Sequence, residues 1–463
     1  MMKKTGKKIL AAGLIFSMVM MQSVTGVSAA EVSSDSANAS YSSTTGGESA
    51  VLVNGSTVTL KNPTVTKSGD SSAEDADFYG TNAAVLAENG GTLTIEGGSV
   101  TTSGSHANGV FSYGSGTTVN ISGTTINTTS NNSGGIMTTG GATMNASDLT
   151  ITTAGGSSAA IRSDRGGGDV NVDGGTYTTN GVGSPAIYST ADIDVSDAAL
   201  TSNASEAVVI EGANSVSLTD CTVTADNTQL NGNASNYDNV LIYQSMSGDA
   251  SVGTSAFSMT GGTMTCEKGA MFVITNTTCT IDLSGADLES TDGVLLIADA
   301  EKWGTSGSNG GNATLNAAGQ TLDGTITVDS SSSLNLILTD ASTYTGAVNS
   351  SGAAGNVYVS VPSGCTWTLT ADSYVTSLTC DASSINTNGH TLYVNGTAYT
   401  SGTASTGSAV SGSSTSSGNS TSGGSTSGST TPGGTNSGST TPGGTNSGST
   451  TPGGTNSGST TPG

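Results

Sequence analysis

Between positions 55 and 300, apolar residues recur in pairs whose two members are always seven residues apart. Around most pairs, apolar residues alternate with Thr, Ser, Asn or Asp, as in Thr92-Leu93-Thr94-Ile95. A period of two predicts β-strands with one inward face, so each pair predicts two consecutive strands. The nine pairs are Val58/Val65, Leu93/Val100, Val119/Ile126, Met144/Ile151, Val170/Tyr177, Ile193/Leu200, Val216/Val223, Phe257/Met264 and Ile281/Leu288.

A short turn separates the two members of each pair, and it often contains Gly or Asp, as in Gly97-Gly98 and Asp173-Gly174-Gly175. These residues tolerate the positive φ of a tight corner. After the second strand, a polar loop leads to a third apolar cluster that small residues introduce, as in Gly135-Ile136-Met137. Each repeat therefore predicts three short strands.

The repeat length predicts how these strands are stacked. From Leu93 to Ile281 the first anchors advance by 26, 25, 26, 23, 23, 41 and 24 residues, so an insertion lies between Asn227 and Thr254. Three strands per repeat predict an all-β, right-handed parallel β-helix solenoid of about 23–26 residues per coil. A β-propeller needs four strands in about 40 residues, and a sandwich does not repeat so regularly.

The ends of the chain differ in composition from this central part. Residues 1–29 combine a basic start, an apolar stretch over 9–21 and the small residues Val27-Ser28-Ala29. This pattern predicts a cleaved secretory signal peptide; the alternative is an uncleaved membrane anchor. We expect a Ser/Thr-rich segment and cap over 30–50, the β-helix over 51–345, a β cap over 346–400 and a disordered Ser/Thr/Gly/Pro linker over 401–463.

Two segments near the end of the cap, TWTLTADSYVTSL (366–378) and INTNGHTLYVNG (385–396), carry a resemblance to known proteins. Together with the repeats they resemble the pectate-lyase-like, adhesin-like secreted or cell-surface β-helix proteins of Gram-positive gut bacteria. The resemblance covers about residues 50–400. It implies a non-catalytic rod at the cell surface. We expect Trp367 to belong to the cap core rather than to a sugar-stacking platform.

The charge balance excludes several classes of partner. The chain has 10 Lys and Arg against 34 Asp and Glu, and four of these cations lie within the predicted signal peptide. Nucleic acids and anionic membranes attract clustered Lys and Arg, so we expect neither as a partner.

Candidates for catalytic chemistry are few. His106 and His390 have no second His or Cys at ligand spacing, so we expect no metal, no cofactor and no catalytic residue. The segment Arg162-Ser163-Asp164-Arg165 is the densest grouping of base and acid, and we interpret it as an exposed, salt-bridged turn whose replacement leaves the fold intact. A second cluster, Asp70, Glu74, Asp75 and Asp77, lacks the pattern of a calcium loop, and we interpret it as a solvated acidic loop.

Cysteines and threonines give weaker signals. The chain has five cysteines, Cys221, Cys266, Cys279, Cys365 and Cys380, so at least one thiol stays unpaired within the chain. Cys365 and Cys380 flank the cap strands and are the candidate disulfide. Thr-x-Thr steps such as 57–59 and 92–94 suggest an ice-binding face, but their neighbouring columns vary and β-propensity explains them.

These patterns favour a secreted or surface-displayed, non-catalytic rod that binds an extracellular glycan or a host protein. The alternative is a carbohydrate-active enzyme or glycan-binding protein that uses a groove of the same fold. A polysaccharide lyase or glycoside hydrolase would need paired carboxylates, or calcium-binding carboxylates with a basic residue.

Overall fold

The structure is a computed structural model that describes residues 30–230 and 232–411. The predicted signal peptide, 1–29, and residues 412–463 of the predicted linker lie outside the described residues. The described part is a parallel β-helix, as predicted, with the single short helix Glu74–Phe78.

Three long sheets, here called A, B and C, run along the stack of coils, and all strand pairs within them are parallel. Sheet A contains Ala30–Glu31, Val51–Asn54, Val85–Glu88, Val110–Tyr113, Ile136–Thr139, Ile161–Ser163, Ile187–Ser189, Val208–Glu211, Asp238–Tyr243, Ala270–Thr275, Val294–Ala298 and Thr325–Val328. Sheet B contains Ser36–Ala37, Thr57–Lys61, Thr92–Glu96, Thr118–Ser122, Ala142–Ser147, Gly168–Asp173, Asp192–Ser196, Ser215–Thr219, Thr254–Thr260, Thr278–Ser284, Asn312–Ala318, Ser333–Thr339, Asn356–Val361 and Ser377–Cys380. Sheet C contains Ser40–Ser43, Thr64–Lys67, Ser99–Thr102, Thr125–Thr128, Thr150–Thr153, Thr176–Thr179, Ala199–Ser202, Thr222–Ala225, Thr263–Cys266 and Asp287–Ser290.

The strand register confirms the predicted anchor pairs. Val119 pairs with Leu93 on one side and Met144 on the other, and Ile126 pairs with Val100 and Ile151 in the same way. The first anchors form an inward column of sheet B and the second anchors an inward column of sheet C. All of them are buried except Leu288, which is partly exposed.

A corner with positive φ explains why the spacing is odd. In a continuous strand, residues seven apart would face opposite sides. The first corner residue has a positive φ in successive coils, +58° at Gly123 and +49° at Asp148. This left-handed residue resets the alternation, so that both anchors of a pair point inward. Gly, Asn and Asp fill the position because they adopt the left-handed conformation at low cost.

The geometry of this corner gives Thr124 a different position from the one we expected. We expected this residue at an opposite corner, where its replacement would matter little, but it is fully buried. It follows the left-handed Gly123 and therefore points inward, as Leu149 does one coil later. Its hydroxyl donates to the carbonyl oxygen of Gly97 at 2.9 Å.

Coils continue beyond the segment 51–345 at both ends. Ser40–Ser43 pairs in parallel with Thr64–Lys67 within the segment expected to be a cap. At the other end, sheet B continues to Ser377–Cys380. A fourth sheet contains Thr321–Asp323, Thr343–Thr345, Thr366–Thr368 and Ile385–Asn386, and a fifth contains Ser373–Val375, Leu392–Val394 and Thr397–Ala398.

The start of the predicted linker covers the last strand of sheet B. Ser405 and Cys380 exchange two backbone hydrogen bonds in an antiparallel bridge. The chain then returns over the outer face of the sheet, where Val410 bonds the side chain of Asn335. The bridge occupies backbone groups that a sheet edge would otherwise expose. Trp367 lies in the core of the cap, as expected, with its indole N–H 3.0 Å from the Gly346 carbonyl oxygen.

Threonine columns follow the sheets. The steps 57–59 and 92–94 belong to sheet B, where the outward columns vary, as expected. Sheet C is more regular than expected. Its two outward columns contain Thr64, Ser99, Thr125, Thr150, Thr176, Ala199, Thr222 and Thr263, and Thr66, Thr101, Asn127, Thr152, Thr178, Thr201, Thr224 and Thr265. β-Branched residues suit a pleated, half-exposed surface, which accounts for this choice.

Replacing Ile126 by Asp is expected to lower the free energy of unfolding by about 4 kcal/mol or more, because the carboxylate would be buried without a partner. Thr125→Asp, one residue away on the outer face, serves as the matched control and is expected to change it by less than about 1 kcal/mol. Urea unfolding of both variants measures the difference. Equal losses would show that the register is wrong.

Replacing Thr124 by Val keeps the shape of the side chain but removes the hydrogen bond to Gly97. The Gly97 carbonyl loses this partner, so we expect a loss of about 1 kcal/mol. Thr150→Val, on the exposed outer face of sheet C, provides the comparison in the same unfolding experiment. A Thr124 variant as stable as the Thr150 variant would contradict the inward placement.

Candidate functional site

The outer face of sheet A is buried beneath insertions from two parts of the chain. Its outward column includes Leu86, Phe111 and Met137, and the loop that contains helix Glu74–Phe78 packs near them. Further along, Tyr188, Val209, Leu241 and Val273 pack with Trp303 of a later loop. Both faces of this sheet are therefore occupied, which explains the continuous apolar runs of its strands.

Arg162 lies in the middle of this outward column, between the two apolar clusters. Its Nη2 atom is 3.0 Å from Oδ2 of Asp164, and both side chains are buried. The guanidinium also lies 5.8 Å from the centre of the Tyr188 ring. Burial and the Arg162 charge act in opposite directions on Asp164, and burial raises the pKa of this carboxyl overall.

Arg165 connects the loop that contains helix Glu74–Phe78 with the insertion between Asn227 and Thr254. Its Nε atom donates to Oδ1 of Asp249 at 2.5 Å, and its guanidinium lies 3.6 Å from the centre of the Phe78 ring. Asp249 belongs to the insertion predicted between Asn227 and Thr254, whereas Phe78 ends the helix of the first insertion. The expectation of an exposed turn with only local ion pairs is therefore wrong for Arg162 and Asp164, which are buried; Arg165 is exposed, but its ion pair with Asp249 is not local.

A carboxylate next to this segment accepts several hydroxyl groups. Oε2 of Glu211 accepts from Tyr188 at 2.6 Å and from Tyr243 at 3.1 Å, and Oε1 accepts from Ser245. Burial raises the pKa of both tyrosines, and the Glu211 carboxylate acts in the same direction. The hydroxyls therefore stay protonated and act as donors. Because Arg162 and Asp164 are buried and paired, the structure leads us to expect that replacing Arg162, Asp164 and Arg165 together disturbs the fold.

The acidic loop and His106 lie in contact, which no pattern in the sequence indicated. Nδ1 of His106 lies 2.7 Å from Oδ1 of Asp77, and Nε2 lies 3.1 Å from the amide nitrogen of Asn132. Asp70 accepts the backbone N–H of Ser105. The hydrogen bonds of Asp70 and Asp77 thus hold the acidic loop against the next coil. Glu74 and Asp75 begin the short helix and are exposed, as expected of a solvated loop.

A buried acid pair lies where the second insertion begins. The amide nitrogen of Asn227 donates to Oδ1 of Asp238 at 3.2 Å, and Glu206 lies next to the same amide. Both acids are buried. Burial raises the pKa of Asp238 well above its usual value, with added contributions from the charges of Glu206 and Glu301. Burial also raises the pKa of Glu206.

A groove of about 620 Å³ crosses the outer face of sheet B. Two outward columns of side chains line it over six successive strands, which corresponds to about 24 Å along the stack. The first column contains Thr94, Asn120, Asn145, Asn171, Asp194 and Ser217; the second contains Glu96, Ser122, Ser147, Asp173, Ser196 and Thr219. The side chains of these columns are amides, hydroxyls and carboxylates, and Ile121, Ala146, Val172 and Val195 also line the groove.

Hydrogen bonds between coils orient the amides of this groove. The amide nitrogen of Asn145 donates to Oδ1 of Asn120 at 2.9 Å, and that of Asn171 donates to Oδ1 of Asn145 at 3.0 Å. Each amide has two N–H donors and two acceptor lone pairs, so this ladder leaves further donors and acceptors for a ligand. A line of acids and aromatics on one sheet would favour an enzyme or lectin, and the sequence shows none; in the structure Asp173 and Asp194 lie in this groove, whose described lining contains no aromatic residue.

All five cysteines are free thiols and are buried. Sγ of Cys380 lies 3.7 Å from the Tyr399 hydroxyl and 3.8 Å from the Thr403 carbonyl oxygen. The structure does not join Cys365 to Cys380, so their disulfide stays a prediction of the sequence. Burial raises the pKa of Cys266 and Cys279 to about 12, so both thiols stay protonated at neutral pH.

Within residues 30–230 and 232–411, no group of three or more His, Cys, Asp or Glu side chains is placed to hold a metal ion. No helix in these ranges has the length and apolar character needed to span a bilayer. His390 is partly buried, and its backbone N–H donates to Thr387. No protein-family model matches the chain, and no curated protein matches it.

The acid pair is expected to make stability depend on pH. Because the pKa of Asp238 is higher in the folded than in the unfolded chain, its contribution is fully present below the unfolded pKa of about 4 and is lost as pH rises through the folded pKa. Asp238→Asn should therefore reduce the loss of unfolding free energy between pH 4.5 and 8.

Thermal unfolding across this range measures the effect. Asp226→Asn, at an exposed site just before the same insertion, is the matched control and should follow the wild-type curve. If Asp238→Asn has the same pH dependence as wild type, the acid pair does not control it.

Proposed function

We propose that the protein is a secreted or surface-displayed, non-catalytic β-helix rod, adhesin-like, that binds an extracellular glycan along the groove of sheet B. The observation that carries the proposal is the ladder of Asn120, Asn145 and Asn171, whose amides are held in fixed directions. A polyhydroxylated ligand needs alternating donors and acceptors at fixed positions, and oriented amides and hydroxyls supply them.

The length and charge of the groove favour an extended ligand without negative charge. Six strands span about 24 Å, which suits a chain of several sugar units better than a single one. Glu96, Asp173 and Asp194 lie along it and would repel a polyanion. The resemblance to adhesin-like proteins of Gram-positive gut bacteria supports display outside the cell, and a host glycoprotein is a natural carrier of such a glycan.

The alternative is a carbohydrate-active enzyme that uses the same groove. One observation favours it: Asp173 and Asp194 lie on neighbouring strands, and glycoside hydrolysis uses two carboxylates at the scissile bond. Release of reducing ends from neutral polysaccharides by the wild-type protein, lost in Asp173→Asn and Asp194→Asn, would establish this alternative. Binding without product release favours the non-catalytic rod.

Asn145→Leu breaks both bonds of the ladder and is expected to weaken glycan binding at least about ten-fold, or about 1.4 kcal/mol. Asn127→Leu is the matched control, because Asn127 lies on the outer face of sheet C in the neighbouring coil and should leave affinity unchanged. A glycan array identifies the ligand, and calorimetry compares the variants. If the protein binds host proteins stripped of glycans, or if both variants bind equally, the groove is not the site.

A further inference from the structure

Lys67 is an unusual occupant of its position. It lies in an inward column of sheet C whose neighbouring members are Ser43 and Thr102. Its side chain is buried, and Nζ donates to the carbonyl oxygen of Thr45 at 2.7 Å and to that of Gly69 at 2.9 Å. A neutral amine has two N–H donors and one lone pair, so these two bonds use its donors and leave the lone pair available.

The side-chain amide of Asn82 lies beside this amine. Its nitrogen donates to the same Gly69 carbonyl oxygen at 3.0 Å, so Nζ of Lys67 and Nδ2 of Asn82 share one acceptor. Asn82 is fully buried, and its Oδ1 accepts the backbone N–H of Gly47 at 2.9 Å. That N–H polarises the amide carbonyl and is placed to stabilise negative charge on its oxygen.

Glu48 supplies a carboxylate near this amine, without a direct ion pair or hydrogen bond to Lys67 or Asn82 among the described residues. It follows Gly47, which bonds Asn82, and its charge acts on Lys67. Oε2 of Glu48 is buried and has no hydrogen-bond partner among the residues that the structure describes. Burial lowers the pKa of Lys67, against the opposing charges of Glu48 and Asp70, which increases the neutral fraction of the amine.

We propose that Lys67 and Asn82 form an intramolecular isopeptide bond, with Glu48 as the group that transfers the proton. Nζ of Lys67 attacks Cγ of Asn82, and the new bond forms while the Gly47 N–H holds the oxygen. Glu48 takes a proton from Nζ and delivers it to Nδ2. The bond between Cγ and Nδ2 then breaks, and ammonia leaves. No oxidant, reductant or other reactant is needed.

The carbonyl oxygens around Nδ2 fit the departure of ammonia. Besides Gly69, the nitrogen donates to Ser105 at 3.1 Å and to His106 at 3.3 Å. The product would tie the strand Thr64–Lys67 to the end of the insertion that contains helix Glu74–Phe78. Phe78 of this insertion contacts Arg165. A covalent link between Lys67 and Asn82 would therefore hold this insertion in place over the outer face of sheet A.

The test is mass spectrometry of the wild-type protein after denaturation and digestion with a Glu-specific protease. Cleavage after Glu74 separates Lys67 from Asn82 in the sequence, so the bond should leave one branched peptide, lighter by one ammonia than its two parts. Trypsin should fail to cleave after Lys67. Two separate peptides with unmodified masses would overturn the proposal.

Cyclisation of Asn82 to a succinimide also releases ammonia, but it would leave Lys67 cleavable and the two peptides separate. That outcome overturns the proposal as well. Glu48→Gln keeps the size of the side chain and is expected to abolish the branched peptide. Lys61→Arg, at an exposed site one strand earlier, is the matched control and should retain it. A branched peptide in both variants would show that Glu48 is not the proton-transfer group.

Discussion

The fold depends on one backbone constraint, the left-handed residue at the corner between sheets B and C. Without it, the odd spacing of seven would place the second anchor of each pair on the outside. With it, Val119 and Ile126 both reach the interior, and so does the intervening Thr124. Repetition of the corner from coil to coil keeps the inward columns aligned, so the inward side chains of each coil pack against those of the neighbouring coils.

The interior and the exterior of the coils use different chemistry. Inside, the columns are apolar, and each buried Ile or Val contributes about 2 kcal/mol. Outside, the three sheets differ from one another: sheet A is covered by insertions, sheet B presents a polar groove and sheet C presents threonine columns. The outward residues can vary without loss of the fold, so function is a property of these faces.

The cover over sheet A is held by contacts between distant segments. Arg165 touches Phe78 and Asp249, which are separated by the length of several coils. Lys67 and Asn82 lie at the start and the end of the first insertion, where both bond the Gly69 carbonyl. Buried polar groups need hydrogen-bond partners, and the partners of Lys67 and Asn82 come from loops rather than from the regular strands.

The sequence by itself determined the parallel β-helix, its anchors and the burial of Trp367. Strand period and corner residues are local properties, and their repetition makes the stacking unambiguous. The coils extend beyond the predicted ends, because the strand Ser40–Ser43 has only one anchor, Tyr41, and a serine lies seven residues before it. Thr124 faces the opposite side to the one expected, because the side that a residue faces after a left-handed corner depends on geometry rather than on its polarity.

Only the tertiary structure decided the groups that carry candidate chemistry. Arg165 and Asp249 are 84 residues apart, and His106 and Asp77 are 29 apart, so no local spacing relates them. The ladder of Asn120, Asn145 and Asn171 is periodic and was visible in the sequence, but its hydrogen bonds require the register between coils. Local sequence patterns determine whether a strand residue faces inward or outward. The insertions and the stacking of coils determine which other residues it contacts.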